Sequence, residues 1–121
     1  MTLNSRQRLG NLAEDQAAAF LRRRGYLILE RNATYRIGEV DIIARDGDTL
    51  VFVEVRARTH ADPVHPAATV DRRKQRQIVR TAMAYCQHHD ITDTMIRFDV
   101  LAVTGKPERI EHFENAFEAG R

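Results

Sequence analysis

The sequence predicts an α/β fold, a mixed central sheet flanked by helices, and three observations carry that prediction. An apolar stripe at helical spacing opens the chain. Two apolar, strand-like runs then meet at a tight-turn dipeptide. A second amphipathic stretch separates that pair from a further apolar strand. A hydrophobic fraction of 43% and a charged fraction of 30% over 121 residues suit one compact domain, residues 1–121, and are too little chain for two ordinary ones.

The first helix is expected from Ser5 to Arg24, because Leu9, Leu12, Ala13, Ala17, Phe20 and Leu21 recur on one side and Gly25 supplies a stop. "YLILERN" reads as a strand over 26–32, and "ATYRIG" as the turn after it. Strands at 38–45 and 49–57 flank Asp46–Gly47, a strong hairpin dipeptide. A Pro-containing loop, Arg58 to Thr69, holds His60 and His65, which have no partner at ligand spacing. Asp71 is the expected N-cap of a second helix reaching His89, with Ile78, Val79, Ala82, Met83, Tyr85 and Cys86 on its apolar side. "MIRFDVLAV" at 95–103 is a further strand, and 108–114 an edge strand.

No apolar run approaches bilayer length, and the N-terminus has no long apolar core of a secretory type. Cys86 is the single cysteine, so a disulfide within the chain and a cysteine zinc site are both excluded. A reducing, cytoplasmic location is the expectation. Net charge is only +2, yet "LRRRG" at 21–25 and "DRRKQRQIVR" at 71–80 are locally basic. Such patches suit phosphate backbones, or are simply solvated helix faces.

One stretch, "GEVDIIARDGDTLVFVEVR" at 38–56, breaks the pattern by placing charges inside strands. Alternation puts Glu39 and Asp41 on one face of their strand, and Glu54 and Arg56 on one face of the next. A two-residue loop at Asp46–Gly47 would set Asp41 diagonal to Glu54; a four-residue loop would set them directly opposite. In either register the four charges project from one face. Residues 50–55 read as a central strand covered on both sides, so clustered carboxylates there need compensation. Arg56 could supply it as an ion pair, or a divalent metal ion could, and spacing alone leaves both open.

The ordered set Gly38-Glu39-x-Asp41, a hairpin, then Phe52-Val53-Glu54-Val55-Arg56 resembles the YraN family of small bacterial proteins. These are predicted nucleases of the restriction-endonuclease-like, or PD-(D/E)xK, superfamily, similar to archaeal Holliday-junction resolvases. The resemblance extends to "LGNLAEDQAAAFLRRRGYLILERN", to Lys74 and to "RFDV" at 97–100, and an α-β-β-β-α-β core is the fold it implies. It implies Asp41 and Glu54 as metal ligands, with the Val55 carbonyl as a further one. Glu14 matches a helix glutamate that approaches the metal in resolvase-like relatives, and Glu39 the glutamate of the family's GExD. Arg56 takes the position of the superfamily lysine.

The activity so implied is hydrolysis of phosphodiester bonds in DNA, including branched or repair intermediates, assisted by Mg²⁺ with Mn²⁺ as a substitute. Arg56 can bind phosphate through its planar fork but is a poor base. Arg72, Arg73, Lys74 and Arg76 are the candidate nucleic-acid contacts, each equally explained as an exposed helix cation. Asp99 and Arg97 read as a structural pair, and His88 and His89 as helix-terminal residues. Junction resolvases of this superfamily act as dimers, so a homodimer is in scope. The alternative is a non-catalytic nucleic-acid-binding or scaffold protein that keeps the nuclease fold.

Overall fold

The chain runs α1 (Ser5–Arg23), β1 (Leu27–Tyr35), β2 (Gly38–Asp46), β3 (Thr49–Arg58), α2 (Arg72–His88), β4 (Met95–Thr104) and β5 (Arg109–Phe117). These elements come from a computed structural model that describes residues 5–58, 70–105 and 108–119. The loop expected beyond Arg58, with His60 and His65, lies outside the described residues. Among those described, no helix is long and apolar enough to cross a membrane.

The strands form one five-stranded sheet in the order β1-β2-β3-β4-β5. Neighbours are antiparallel except β3 and β4, which are parallel. A hairpin cannot join parallel strands, and α2 makes the crossover between them. The result is a mixed α/β architecture consistent with a restriction-endonuclease-like core. The expected edge strand at 108–114 is a full nine-residue strand, β5.

Each sheet face carries one helix. Ala13, Ala17, Ala18 and Leu21 of α1 pack with Ile42, Ala44, Val51, Val53, Leu101 and Val103. Ile78, Ala82, Tyr85 and Cys86 of α2 pack with Leu50, Phe52, Phe98 and Val100 on the other face. The central strand β3 therefore feeds both cores alternately, and its four residues Leu50–Val53 are fully buried. Burial of each such large side chain contributes about 1.5–3 kcal/mol of transfer free energy.

The helical stripes differ from expectation at two positions. Leu12 and Met83 are 53% and 58% exposed. In α1 the alanines let the helix lie close to the sheet, which turns Glu14 inward and leaves Leu12 at the rim. Gly25 (φ +89°) ends α1 as expected, with the Tyr26 N–H donating back to the Leu21 carbonyl. "ATYRIG" is mostly strand: β1 continues to Tyr35, and the turn narrows to Arg36–Ile37.

Candidate functional site

The β2–β3 turn decides the register. Asp46 pairs with Thr49, so the two loop residues are Gly47 (φ +59°) and Asp48, one step later than the Asp46–Gly47 loop considered from sequence. Arg45 then faces Leu50 and Ile42 faces Val53, and the same register carried one step further sets Asp41 opposite Glu54. This is the directly opposed arrangement. Regular pairing stops at Ile42, and the Val55 N–H donates to Asp41 Oδ2 (2.8 Å) instead of to a carbonyl across the strands.

A local irregularity accompanies this step. Asn32 of β1 has φ +53°, and its level in the β1–β2 pairing, between Arg31↔Ile42 and Ala33↔Val40, is that of Asp41. Alternation inverts there in both strands. Ala33 and Val40 belong to the α2-side core, whereas Ile42 belongs to the α1-side core. The expectation that Glu39, Asp41, Glu54 and Arg56 share one face is thereby corrected. Glu54, two residues beyond Phe52, points to the α2 side. Glu39 is exposed, pairs with Thr34, and alternates with Val40 to the other side. Strict period-two counting fails because a left-handed residue resets it.

Asp41 and Glu54 are the two carboxyl groups the fold forces together. Burial, then the hydrogen bond and charge of Glu54, push Asp41 up to about 8 from its ordinary 3.8, against the opposing influence of the Val55 N–H and Lys74. Two adjacent carboxylates in a low-dielectric site hold a proton between them unless a cation replaces it. Lys74 of α2 is the near cation, with Nζ 3.5 Å from Glu54 Oε2.

Glu14 is buried on α1, with Oε1 accepting from Arg31 Nε and Asn32 Nδ2, both at 3.0 Å. Its carboxyl is raised chiefly by burial, with Arg31 and Asn32 opposing and the charge of Asp41 adding. Glu14 thus lies within electrostatic reach of Asp41 but is held by its own donors. Arg56 is half-buried opposite Ala102 of β4, on Glu54's face by alternation. On α2, Arg72, Arg73 and Arg76 are exposed while Lys74 is not.

Among the described residues no three His, Cys, Asp or Glu side chains form a ready metal cage. Mg²⁺ does not need one, since it is commonly held by one or two carboxylates together with substrate phosphate and water. An opposed carboxylate pair that exchanges its shared proton for a cation fits that ion. It does not fit a closed structural site.

Asp99 behaves differently. Fully buried on β4, it accepts from Arg97 Nε and Nη2 (both 2.9 Å), from the Asn115 N–H (2.9 Å) and from His112 Nε2 (2.7 Å). Burial would raise its carboxyl, but the donors from His112, Arg97 and Asn115 outweigh it and hold the group below the usual range. Arg97 also donates to Tyr26 Oη (2.7 Å) and Asp46 Oδ2 (3.2 Å). The structural reading of the Arg97–Asp99 pair is correct, and the network is wider than the pair.

Three contributions escaped sequence reasoning. The contact of Lys74 with Glu54 had a signal: Lys74, Ile78, Ala82 and Tyr85 lie at helical spacing on the face that packs on the sheet. Arg31 and Asn32 as partners of Glu14 depend on how α1 packs on β1, and His112 as a partner of Asp99 on the pairing of β4 with β5, and no local pattern marks them.

Comparison with known proteins gives a consistent family match. The uncharacterised protein family UPF0102 matches residues 13–103, which include Glu14, Asp41, Glu54, Arg56 and Lys74. A UPF0102 protein of Geobacter sulfurreducens is 50% identical over 113 residues, covering 91% of this chain and 88% of that protein. One of Anaeromyxobacter dehalogenans is 48% identical over 118 residues, covering 95% and 87%. One of Myxococcus xanthus is 41% identical over 117 residues, covering 95% and 93%.

Proposed function

The chain belongs to the UPF0102 (YraN) family, and from that premise we propose that it is a Mg²⁺-dependent endonuclease hydrolysing phosphodiester bonds in DNA. One observation carries the reading: Asp41 and Glu54 are brought face to face where β2 and β3 part, close enough that each carboxyl opposes ionisation of the other. A protein that needed only stability would satisfy such a pair, as this one satisfies Asp99.

Asp41 and Glu54, with the Val55 carbonyl, are the groups that would hold Mg²⁺, and Mn²⁺ would substitute. The bound ion supplies Lewis acidity toward the scissile phosphate and acidifies a water. The chain's own residues do the rest. The Val55 N–H holds the Asp41 carboxylate, and Arg31 and Asn32 hold Glu14 within electrostatic reach of it. Arg56 offers a planar, permanently charged fork to a phosphate oxygen, while Arg72, Arg73 and Arg76 offer solvent-facing cations to the flanking backbone. Two copies of the chain acting together would cut two strands, as a branched substrate requires.

The test is cleavage of labelled duplex, single-stranded, flap and four-way-junction DNA with Mg²⁺ or Mn²⁺. Wild type is compared with Asp41→Ala and Glu54→Ala proteins. Cutting by wild type alone is the expected result, and the preferred DNA identifies the substrate. Equal cutting by all three exposes a contaminant. Salt-sensitive DNA binding with no cutting and no effect of metal favours the non-catalytic nucleic-acid-binding reading.

A further inference from the structure

Lys74 stands apart from the other cations of α2. It occupies the first turn of the helix, where its backbone N–H donates to the Asp71 cap at 2.8 Å. One turn on, Gln77 Nε2 donates to the Ile37 carbonyl (3.1 Å), tying α2 to the β1–β2 turn. The approach there is so close that a Cβ on Gly38 would stand 2.7 Å from Gln77 Cγ. The base of the Lys74 side chain is therefore held at two points, and its flexible stem reaches the carboxylate pair.

The contact it makes is loose. At 3.5 Å from Glu54 Oε2, the ammonium is beyond the 2.7–2.9 Å of a charge-assisted hydrogen bond. The Glu54 side chain is only 7% exposed, whereas that of Lys74 is 35% exposed, so the lysine bridges the buried pair and the solvent side from which nucleic acid would arrive. An ammonium is a compact charge with three rotatable donors, able to change partner without moving its helix.

We propose that Lys74 is a placeholder cation: it balances Glu54 in the metal-free protein and transfers to a non-bridging phosphate oxygen when the divalent ion and DNA bind. The inference rests on the nuclease reading and deepens it by giving Lys74 an exchange between Glu54 and the phosphate held at the metal, distinct from the flanking contacts of Arg72, Arg73 and Arg76. The physical reason is exclusion between like charges. A divalent cation at the Asp41–Glu54 pair repels an ammonium already beside Glu54, and the nearest anion to receive it is the phosphate that the same ion draws in. Lys74 stays protonated throughout, so its role is electrostatic and it is not a base.

The experiment compares wild type, Lys74→Met and Lys74→Arg. Calorimetry reads the affinity for Mn²⁺ alone, and anisotropy reads DNA affinity with and without Ca²⁺. Partial exposure of Lys74 lets both variants fold, which thermal unfolding checks. Lys74→Met is expected to bind Mn²⁺ about 3–10-fold tighter, because a competing cation is gone. Its Ca²⁺-dependent gain in DNA affinity should shrink about 5–10-fold. Lys74→Arg should keep most of that gain. Where wild type cuts DNA, Lys74→Met should lower kcat at saturating Mn²⁺ by about 10²-fold, the loss typical of one oriented donor to a developing charge. Unchanged or weaker Mn²⁺ binding by Lys74→Met overturns the proposal, and so does an intact DNA gain or an unchanged kcat. A wild type that binds Mn²⁺ but cuts no DNA sinks the nuclease reading, while the two binding measurements still decide the role of Lys74. A wild type that does not bind Mn²⁺ sinks both.

Discussion

Asp41 and Asp99 are aspartates of one sheet, the first half-buried and the second fully buried, and the fold treats them in opposite ways. Around Asp99 every approach brings a donor: the guanidinium of Arg97, the ring of His112 and the backbone of Asn115. Around Asp41 the fold brings one backbone N–H and a second carboxyl group, with Lys74 set back at the far oxygen of that partner. The Asp99 carboxyl is held below its ordinary range and that of Asp41 is pushed up to about 8. A buried carboxylate with a full set of donors is a completed structure. One that faces another carboxylate keeps an electrostatic conflict within the fold, and it is on that contrast that the proposed metal site rests.

The largest effect should come from the completed side. Asp99→Ala strands the buried His112 ring and takes from Arg97 its two shortest carboxylate bonds, and the loss should be about 3–5 kcal/mol in urea unfolding. A loss under about 1 kcal/mol would mean that the network is not structural. On the other side, Asp41→Asn should keep the fold and abolish function. Cleavage should fall by more than about 10²-fold, the upper end of losses seen for mere outer-shell partners of a metal. If Asp41→Asn unfolds the protein instead, the contrast between the two aspartates is broken.

The pH dependence sharpens the same comparison, and the signs are opposite. Folded Asp41 keeps a proton that the unfolded chain releases, so in the metal-free protein its contribution falls as pH rises from about 4 to about 8. Asp41→Asn should flatten this slope in unfolding measured across that window. Asp99 is depressed, so its contribution is present above its ordinary 3.8 and is lost as pH falls below it. Mg²⁺ at 100 times its Kd should add about 2.7 kcal/mol to stability at pH 8, and none to Asp41→Asn. The smallest expected effect concerns the helix that carries Lys74. Gly38→Ala drives a methyl against Gln77 and should cost about 1–2 kcal/mol. The same change should weaken DNA binding more than it weakens Mn²⁺ binding, because it pushes the Gln77 side chain off the Ile37 carbonyl and loosens the tie of α2 to the β1–β2 turn.

Much of the fold was legible in the chain. Asp71 as N-cap, Gly25 as helix stop and the alternating apolar run at 50–55 are local signals, and each element formed within a few residues of its expected bounds. The strand called a turn, "ATYRIG", was missed because Ala33 is buried by a neighbour, not by its own sequence context. In the site, Asp41 and Glu54 were readable because charges inside an apolar hairpin are conspicuous. Glu39 was misplaced because the count along the strand assumed no interruption, and Asn32 with its positive φ lies on a different strand.

The sequence by itself determined most of the helix and strand segments, and that the hairpin at 38–56 carries carboxylates inside its strands. These follow from periodicity, capping and turn chemistry, all of which act over a few residues. Only the tertiary structure decided that Lys74 reaches Glu54, that Arg31 and Asn32 hold Glu14, and that Asp99 is saturated while Asp41 is not. The reason is that electrostatic compensation depends on distance in space. Apart from Arg97, two residues from Asp99 on its own strand, the partners named here come from segments that only the sheet order and the helix packing bring together.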